Sequence, residues 1–115
     1  MRKITQNAIN AFYNKSNFNQ SNTSVIYGDI TGNDVSHLYL FNNHIAQYNH
    51  DTKVLKINLC GWGSVTTRER LNGLSGVSIG QTNFIQYLNG VELVDLSKWH
   101  IIKGQYTKGQ YTKGQ

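Results

Sequence analysis

The segment VSHLYLFNNHIAQYNHDTKVLKINL, Val35–Leu59, decides the fold. Successive side chains of a strand point to opposite faces, so in Val35–Phe41 the residues His37, Tyr39 and Phe41 fall on one side and Leu38 and Leu40 on the other. Apolar groups on both sides imply cover on at least one face and partly on both. Asn42-Asn43 suits a tight hairpin because Asn tolerates positive φ. His44–Tyr48 then returns, Asn49–Thr52 turns again, and Val54–Leu59 follows with Leu55, Ile57 and Leu59 opposite Lys56 and Asn58. Three strands joined this closely are an antiparallel meander with one buried face.

Upstream, residues 5–14 read as a helix. Thr5 is the expected N-cap, Ile4 and Ile9 form a hydrophobic staple, and Ala8, Ala11 and Phe12 make the inward stripe. Asn14–Asn22 is loop chemistry. Thr23–Tyr27 is β-branched and aromatic, and the turn-rich Asp29–Asp34 leads into the meander.

Downstream comes the corner CGWGSVTTRERLNGLSG, Cys60–Gly76. Thr66-x-x-Glu69 is a capping-box pattern, Leu71 and Leu74 face inward, and Gly73 or Gly76 supplies the left-handed stop of a short helix. Strand character returns at Val77–Ile79, Asn83–Leu88 and Val91–Val94, with Asn89-Gly90 as the strongest hairpin signal in the chain. Trp99–Ile102 adds an edge strand. The expected fold is therefore α+β: a small single domain, residues 1–102, with an antiparallel meander sheet of about five to six strands, an N-terminal helix, and a short helix after the third or fourth strand. Residues 103–115 repeat KGQYT and lack aliphatic residues. They read as a basic, disordered arm.

At 115 residues the chain makes one domain. It has no apolar run near the ~20 residues of a membrane span, and MRKITQNAIN lacks a signal-peptide core. Cys60 is the one cysteine, so no internal disulfide forms, which fits a reducing compartment. The net charge is +5, but residues 1–100 carry eight Lys and Arg against six Asp and Glu; the tail lysines supply the rest. So small an excess is weak evidence for a polyanion partner.

MRKITQNAINAF, LYLFNNHIA, NLCGWGSVTTRERLNGL and GVSI…YLNG together resemble a family of small accessory proteins of tailed bacteriophages. The likeness covers roughly residues 1–91, and the corner is its most specific part. Members end in a tryptophan-rich strand; VELVDLSKWHIIK keeps only Trp99 of it, and the KGQYT tail lies outside the pattern. The resemblance implies an accessory protein acting in the cytoplasm of the infected host, and it carries no active site to transfer.

The residues themselves point to binding rather than catalysis. His37, His44, His50, Cys60 and His100 have no zinc-type spacing, so no metal is expected, nor any other cofactor. No nucleophile elbow, phosphate loop or carboxylate pair is present, so no catalytic residues are assigned. The corner sets Trp62 between two glycines, where it could stack on a base or a partner side chain, and Arg68 and Arg70 flank Glu69 so that at least one guanidinium should project toward an anion. The competing reading is a crossover with Trp62 plugging the core edge and the arginines paired with acids. Lys103, Tyr106 and Lys108 give the tail a composition that can hold single-stranded nucleic acid by charge and stacking, with a weak, salt-sensitive contribution; the competing reading is a solvated tail without function. Tyrosine-bearing sheet edges would also allow self-association or docking on a host protein. The leading expectation is a non-enzymatic phage protein that binds and blocks a host macromolecule. The alternatives are a nucleic-acid-binding module and a binder of a small molecule such as a nucleotide signal.

Overall fold

The computed structural model describes residues 2–28, 30–61 and 63–102. It is an α+β domain of two sheets. Strands β1 (Phe18–Gln20), β2 (Thr23–Tyr27), β3 (Val35–Leu40), β4 (Asn43–Asn49), β5 (Val54–Ile57) and β9 (His100–Ile102) form one antiparallel sheet in that order. Strands β6 (Ile79–Thr82), β7 (Ile85–Leu88) and β8 (Val91–Glu92) form a separate antiparallel sheet. Helix α1 (Lys3–Tyr13) packs on β1–β3, and helix α2 (Val65–Leu71) meets β4 and β6.

The alternation read in β3 is realised. Ser36, Leu38 and Leu40 are buried, whereas Val35, His37 and Tyr39 face the other side. Leu55, Ile57 and Ile102 continue the buried face across β5 and β9, in one core cluster with Ala8 and Phe12 of α1. Fully burying side chains of this size contributes roughly 1.5–3 kcal/mol each, so this inner face is where the sheet gains its stability. The β3–β4 register slips by one residue: Tyr39 pairs with His44 and Leu38 with Ala46, leaving Ile45 as the extra residue of a bulge. Ile45 and Ala46 are therefore both buried although adjacent, and His44 is set directly across from Tyr39 on the outer face.

Several local expectations are corrected. The hairpin turn is Phe41-Asn42, with φ of 50° and 65°, one residue earlier than Asn42-Asn43. Part of the Asn14–Asn22 segment is the strand β1, because pairing with β2 satisfies a backbone whose side chains alone suggest a loop. That extra strand also puts α2 after the fifth strand. Arg2, not Thr5, occupies the N-cap of α1; Thr5 is a fully buried residue of the helix. Ser64 caps α2 by accepting from the Thr67 N–H, two residues before the expected Thr66. The expected Trp99–Ile102 edge strand is present as His100–Ile102 on β5. The KGQYT tail lies outside the described residues.

Candidate functional site

Two regions present themselves as sites: the corner around α2 and the outer face of the six-stranded sheet. At the corner, Arg70 is 1% exposed. Its guanidinium donates to Thr5 Oγ1 at 2.8 Å, to Thr23 Oγ1 at 3.0 Å, to Asn22 Oδ1 at 3.4 Å and to the Glu69 carboxylate. Glu69 also accepts from the Thr5 hydroxyl and, at 3.4 Å, from the Arg2 backbone N–H. Burial alone would raise the Glu69 carboxyl, but the hydrogen bonds from Thr5, Arg70 and Arg2 outweigh it and hold the group below its usual range. A buried cation is tolerated only when paired and hydrogen-bonded in this way. A contact through Arg70 would first have to withdraw it from that network.

Arg68, by contrast, is half-buried, and its Nε donates weakly to Ser64 O at 3.4 Å. It borders a shallow surface depression with Val65, Glu69, Asn72 and Ile79. The two arginines thus divide: Arg70 joins α1, α2 and β2, and Arg68 stays at the surface. Trp62, Lys103, Tyr106 and Lys108 lie outside the described residues, so the corner patch and the tail remain expectations from sequence.

The outer sheet face holds a different constellation. Cross-strand register aligns Ile26, His37, Gln47, Lys56 and Ile101 in one row across β2, β3, β4, β5 and β9. A neighbouring row contains Ser24, Tyr39 and His44. Trp99, just before β9, brings its ring edge-on to His44 with centroids 4.9 Å apart. Tyr39 stacks on His44 at 4.8 Å with planes 22° apart. His37 Nδ1 and His44 Nε2 are 3.0 Å apart. Burial, and then the neighbouring His37, push the His44 imidazole down to about 4, so its ring is neutral at physiological pH. Neither row carries a carboxylate.

The face is also open. Ile26, Trp99 and Ile101 are 48%, 41% and 57% exposed, and the helices pack on the opposite side. Ile26 and Ile101 stand at the two ends of the longer row with His37, Gln47 and Lys56 between them, and Trp99 lies two residues before Ile101, so the apolar exposure is concentrated at the β9 end, beside the ring cluster. Cys60 lies at the rim; its thiol donates to the His44 carbonyl at 3.3 Å, and burial raises its pKa. That makes it a poor nucleophile.

A second polar group sits at the other end of the sheet. Ser36 Oγ lies 2.8 Å from His50 Nε2, the spacing of a nucleophile and its base. Ser36 is fully buried, however, and so has no surface to offer a substrate. Asp34 accepts from the Tyr27 hydroxyl and pairs with Lys15 at 3.1 Å, which ties the β2–β3 connection to the end of α1. A cavity of about 320 Å³ lies between β3, β4 and α2, walled by Leu40, Ile45 and Leu59 with Phe41 at its lip. Among the described residues, no three His, Cys, Asp or Glu side chains converge as a metal site would require.

The ring cluster was half legible. Alternation in VSHLYLF places His37 and Tyr39 opposite the leucines, which is the available signal. His44 and Trp99 join them only through a bulge and through β9 returning to β5, and neither follows from local pattern.

A protein-family model described as Kyanoviridae Gp96 protein matches residues 1–114. The match includes the diverged region after residue 91 and nearly all of the KGQYT tail, both of which the sequence resemblance left out. No curated protein and no solved structure matches the chain. Among the described residues, no helix is long and apolar enough to cross a membrane. The chain belongs to the Kyanoviridae Gp96 protein family, a bacteriophage family.

Proposed function

We propose that this member of the Kyanoviridae Gp96 protein family is a non-enzymatic accessory protein that binds a host macromolecule in the cytoplasm of the infected cell. Its contact surface is the uncovered face of the six-stranded sheet. The observation that carries this reading is the contact cluster of Tyr39, His37, His44 and Trp99 on an open face whose two residue rows hold no carboxylate. Aromatic rings held in place by one another present large contact area at low entropy cost, and such residues dominate binding energy. The mechanism is occlusion: a rigid sheet covers the target's own working surface. Arg68 at the corner offers a second contact, with Trp62 its neighbour in sequence.

The test is site-specific crosslinking in host cells. A photo-reactive residue placed at Ile101, on the open face, should give discrete adducts. The same residue at Phe84, which is 92% exposed at a turn of the smaller sheet, should not. Adducts at position 84 alone, or at neither position, would refute the assignment.

A second reading, binding of a small molecule, draws on the cavity walled by Leu40, Ile45 and Leu59. It requires a retained ligand in the native mass spectrum of protein purified from infected cells, and a purely apo spectrum counts against it.

A further inference from the structure

We infer that the ligand class of the open sheet face is single-stranded nucleic acid, with bases stacked on Tyr39 and Trp99 and the phosphate chain passing Lys56. The inference rests on the contact surface proposed above and narrows its partner.

Three features select this ligand over a protein. The first is the ring platform. Tyr39, His44 and Trp99 touch in sequence, so a base laid on either outer ring meets a surface already fixed by its neighbours. Base–aromatic stacking contributes about 1–3 kcal/mol per base and tolerates any sequence, because every base has a π-face. His44, uncharged at neutral pH, serves here as a flat neutral ring and not as a cation.

The second is the placement of charge. Lys56 lies between Gln47 and Ile101 near the middle of the longer row, with no carboxylate in either row. Lysine is depleted from the cores of protein–protein interfaces, where its hydration is lost without return. Beside stacked rings it fits a phosphate as a point charge. β9, at the edge of this face, continues in sequence into Lys103, Lys108 and Lys113.

The third is shape. The longer row crosses five strands, about 19 Å at the usual inter-strand spacing. Sheets of similar width hold two or three stacked bases. A duplex offers no free base faces to a flat sheet, since its bases are stacked and paired inside and are read from the grooves. The Gln47 amide, in the centre of the row, can bond to a base edge but cannot by itself distinguish one base from another, so the expected preference is for single strands with little sequence selectivity.

The experiment is fluorescence anisotropy of labelled oligothymidine, oligouridine and a DNA duplex against the full chain across a salt series. Both single strands should bind, more tightly than the duplex, with affinity falling as salt rises. Tyr39→Ala and Trp99→Ala should each weaken binding about fivefold or more. Because either could disturb the fold, Ile101→Glu is the companion variant. It places a carboxylate in the exposed row and should weaken binding at an unchanged melting temperature. Tighter binding to the duplex, no binding at low salt, or affinity indifferent to all three substitutions would overturn the inference. If oligonucleotides fail to bind while position 101 still crosslinks to a host protein, the nucleic-acid assignment alone is wrong. If position 101 gives no crosslink of any kind, the contact surface itself is wrong.

Discussion

The Arg70 guanidinium donates to the Thr5 hydroxyl at 2.8 Å, joining the short helix α2 to the first turns of α1 across 65 residues of sequence. Around that bond Glu69, Thr23 and Asn22 accept from the same guanidinium, so each of its three nitrogens has a partner, and the cluster is closed to solvent on the arginine side. The charged corner is thus part of the scaffold that holds α1 and α2 behind the sheet, and it keeps the opposite face free.

Removing Arg70 takes the cation from the half-buried Glu69 and leaves the Thr5 and Thr23 hydroxyls without their donor. Arg70→Leu should therefore lower stability by about 2–4 kcal/mol in urea unfolding, below the full cost of breaking a buried pair. Arg68→Ala, at a half-buried position with one long hydrogen bond, should change it by no more than about 0.5 kcal/mol. Equal losses at the two positions would contradict the division of roles.

Acid should destabilise the domain in two windows. The folded His44 imidazole sits near 4, below its ordinary value of 6.5. The unfolded chain then binds the proton more readily, and stability is complete above about 6.5 and falls as pH drops toward about 4. A tenfold difference in proton affinity between the folded and unfolded chain corresponds to about 1.4 kcal/mol, and with discount for solvent at a half-buried ring the loss should be about 1–2 kcal/mol. His50, also held below its ordinary 6.5 by burial, acts in the same window, so His44→Phe should reduce this loss without abolishing it. Glu69, held below its ordinary 4.5, contributes stability that is present above that value and lost as pH falls through its lower folded value. Glu69→Gln should reduce the acid limb only, a limb shared with Asp34, which the Tyr27 hydroxyl and Lys15 hold below its ordinary value. Melting temperatures of the three proteins across pH 3–8 would separate the two groups.

The β6–β7 turn is Asn83-Phe84, with φ of 51° and 67°. A bulky side chain is disfavoured in that region, and the Phe84 ring is 92% exposed, so little packing compensates. Phe84→Gly creates the preferred hairpin dipeptide and should raise stability by about 0.5–1 kcal/mol. A fall in melting temperature would show that the ring makes a contact worth more than the strain.

Gly63 stands where a Cβ would come within 2.8 Å of Gln86 Cδ. Gln86 is buried and its amide donates to the Gln81 side chain, so moving its flexible end aside breaks that bond. Gly63→Ala should cost about 1 kcal/mol, the low end of the range for overpacking. Calorimetry of this variant checks it.

How much of this was legible in the sequence depends on the range of the interaction. The meander followed from alternation in Val35–Phe41 and Val54–Leu59, because the two-residue period is a local property. The Thr66/Glu69 capping box did not form: Ser64 reached the free N–H of Thr67 first, and the Glu69 carboxylate found stronger partners in Thr5 and Arg70. Those partners come from α1 and from the neighbouring residue, and no i-to-i+3 pattern reports them. The same distance in sequence concealed the burial of Arg70. β1 was missed because Asn17, Asn19 and Asn22 favour local hydrogen bonds, whereas register with β2 decides the matter. Of the outer ring cluster, the β3 members were visible as the polar-side alternation, and the bulge at Ile45 that brings His44 against Tyr39 was not.

The most direct test of the open face as the contact surface is a backbone amide chemical-shift titration of the isotope-labelled full chain with oligothymidine. Shifts should concentrate at His37, Tyr39, His44, Gln47, Lys56 and Ile101, with the amides of α1 and α2 unmoved. Shifts confined to residues 103–115 or to the corner around Arg68, with the sheet face silent, would contradict the assignment.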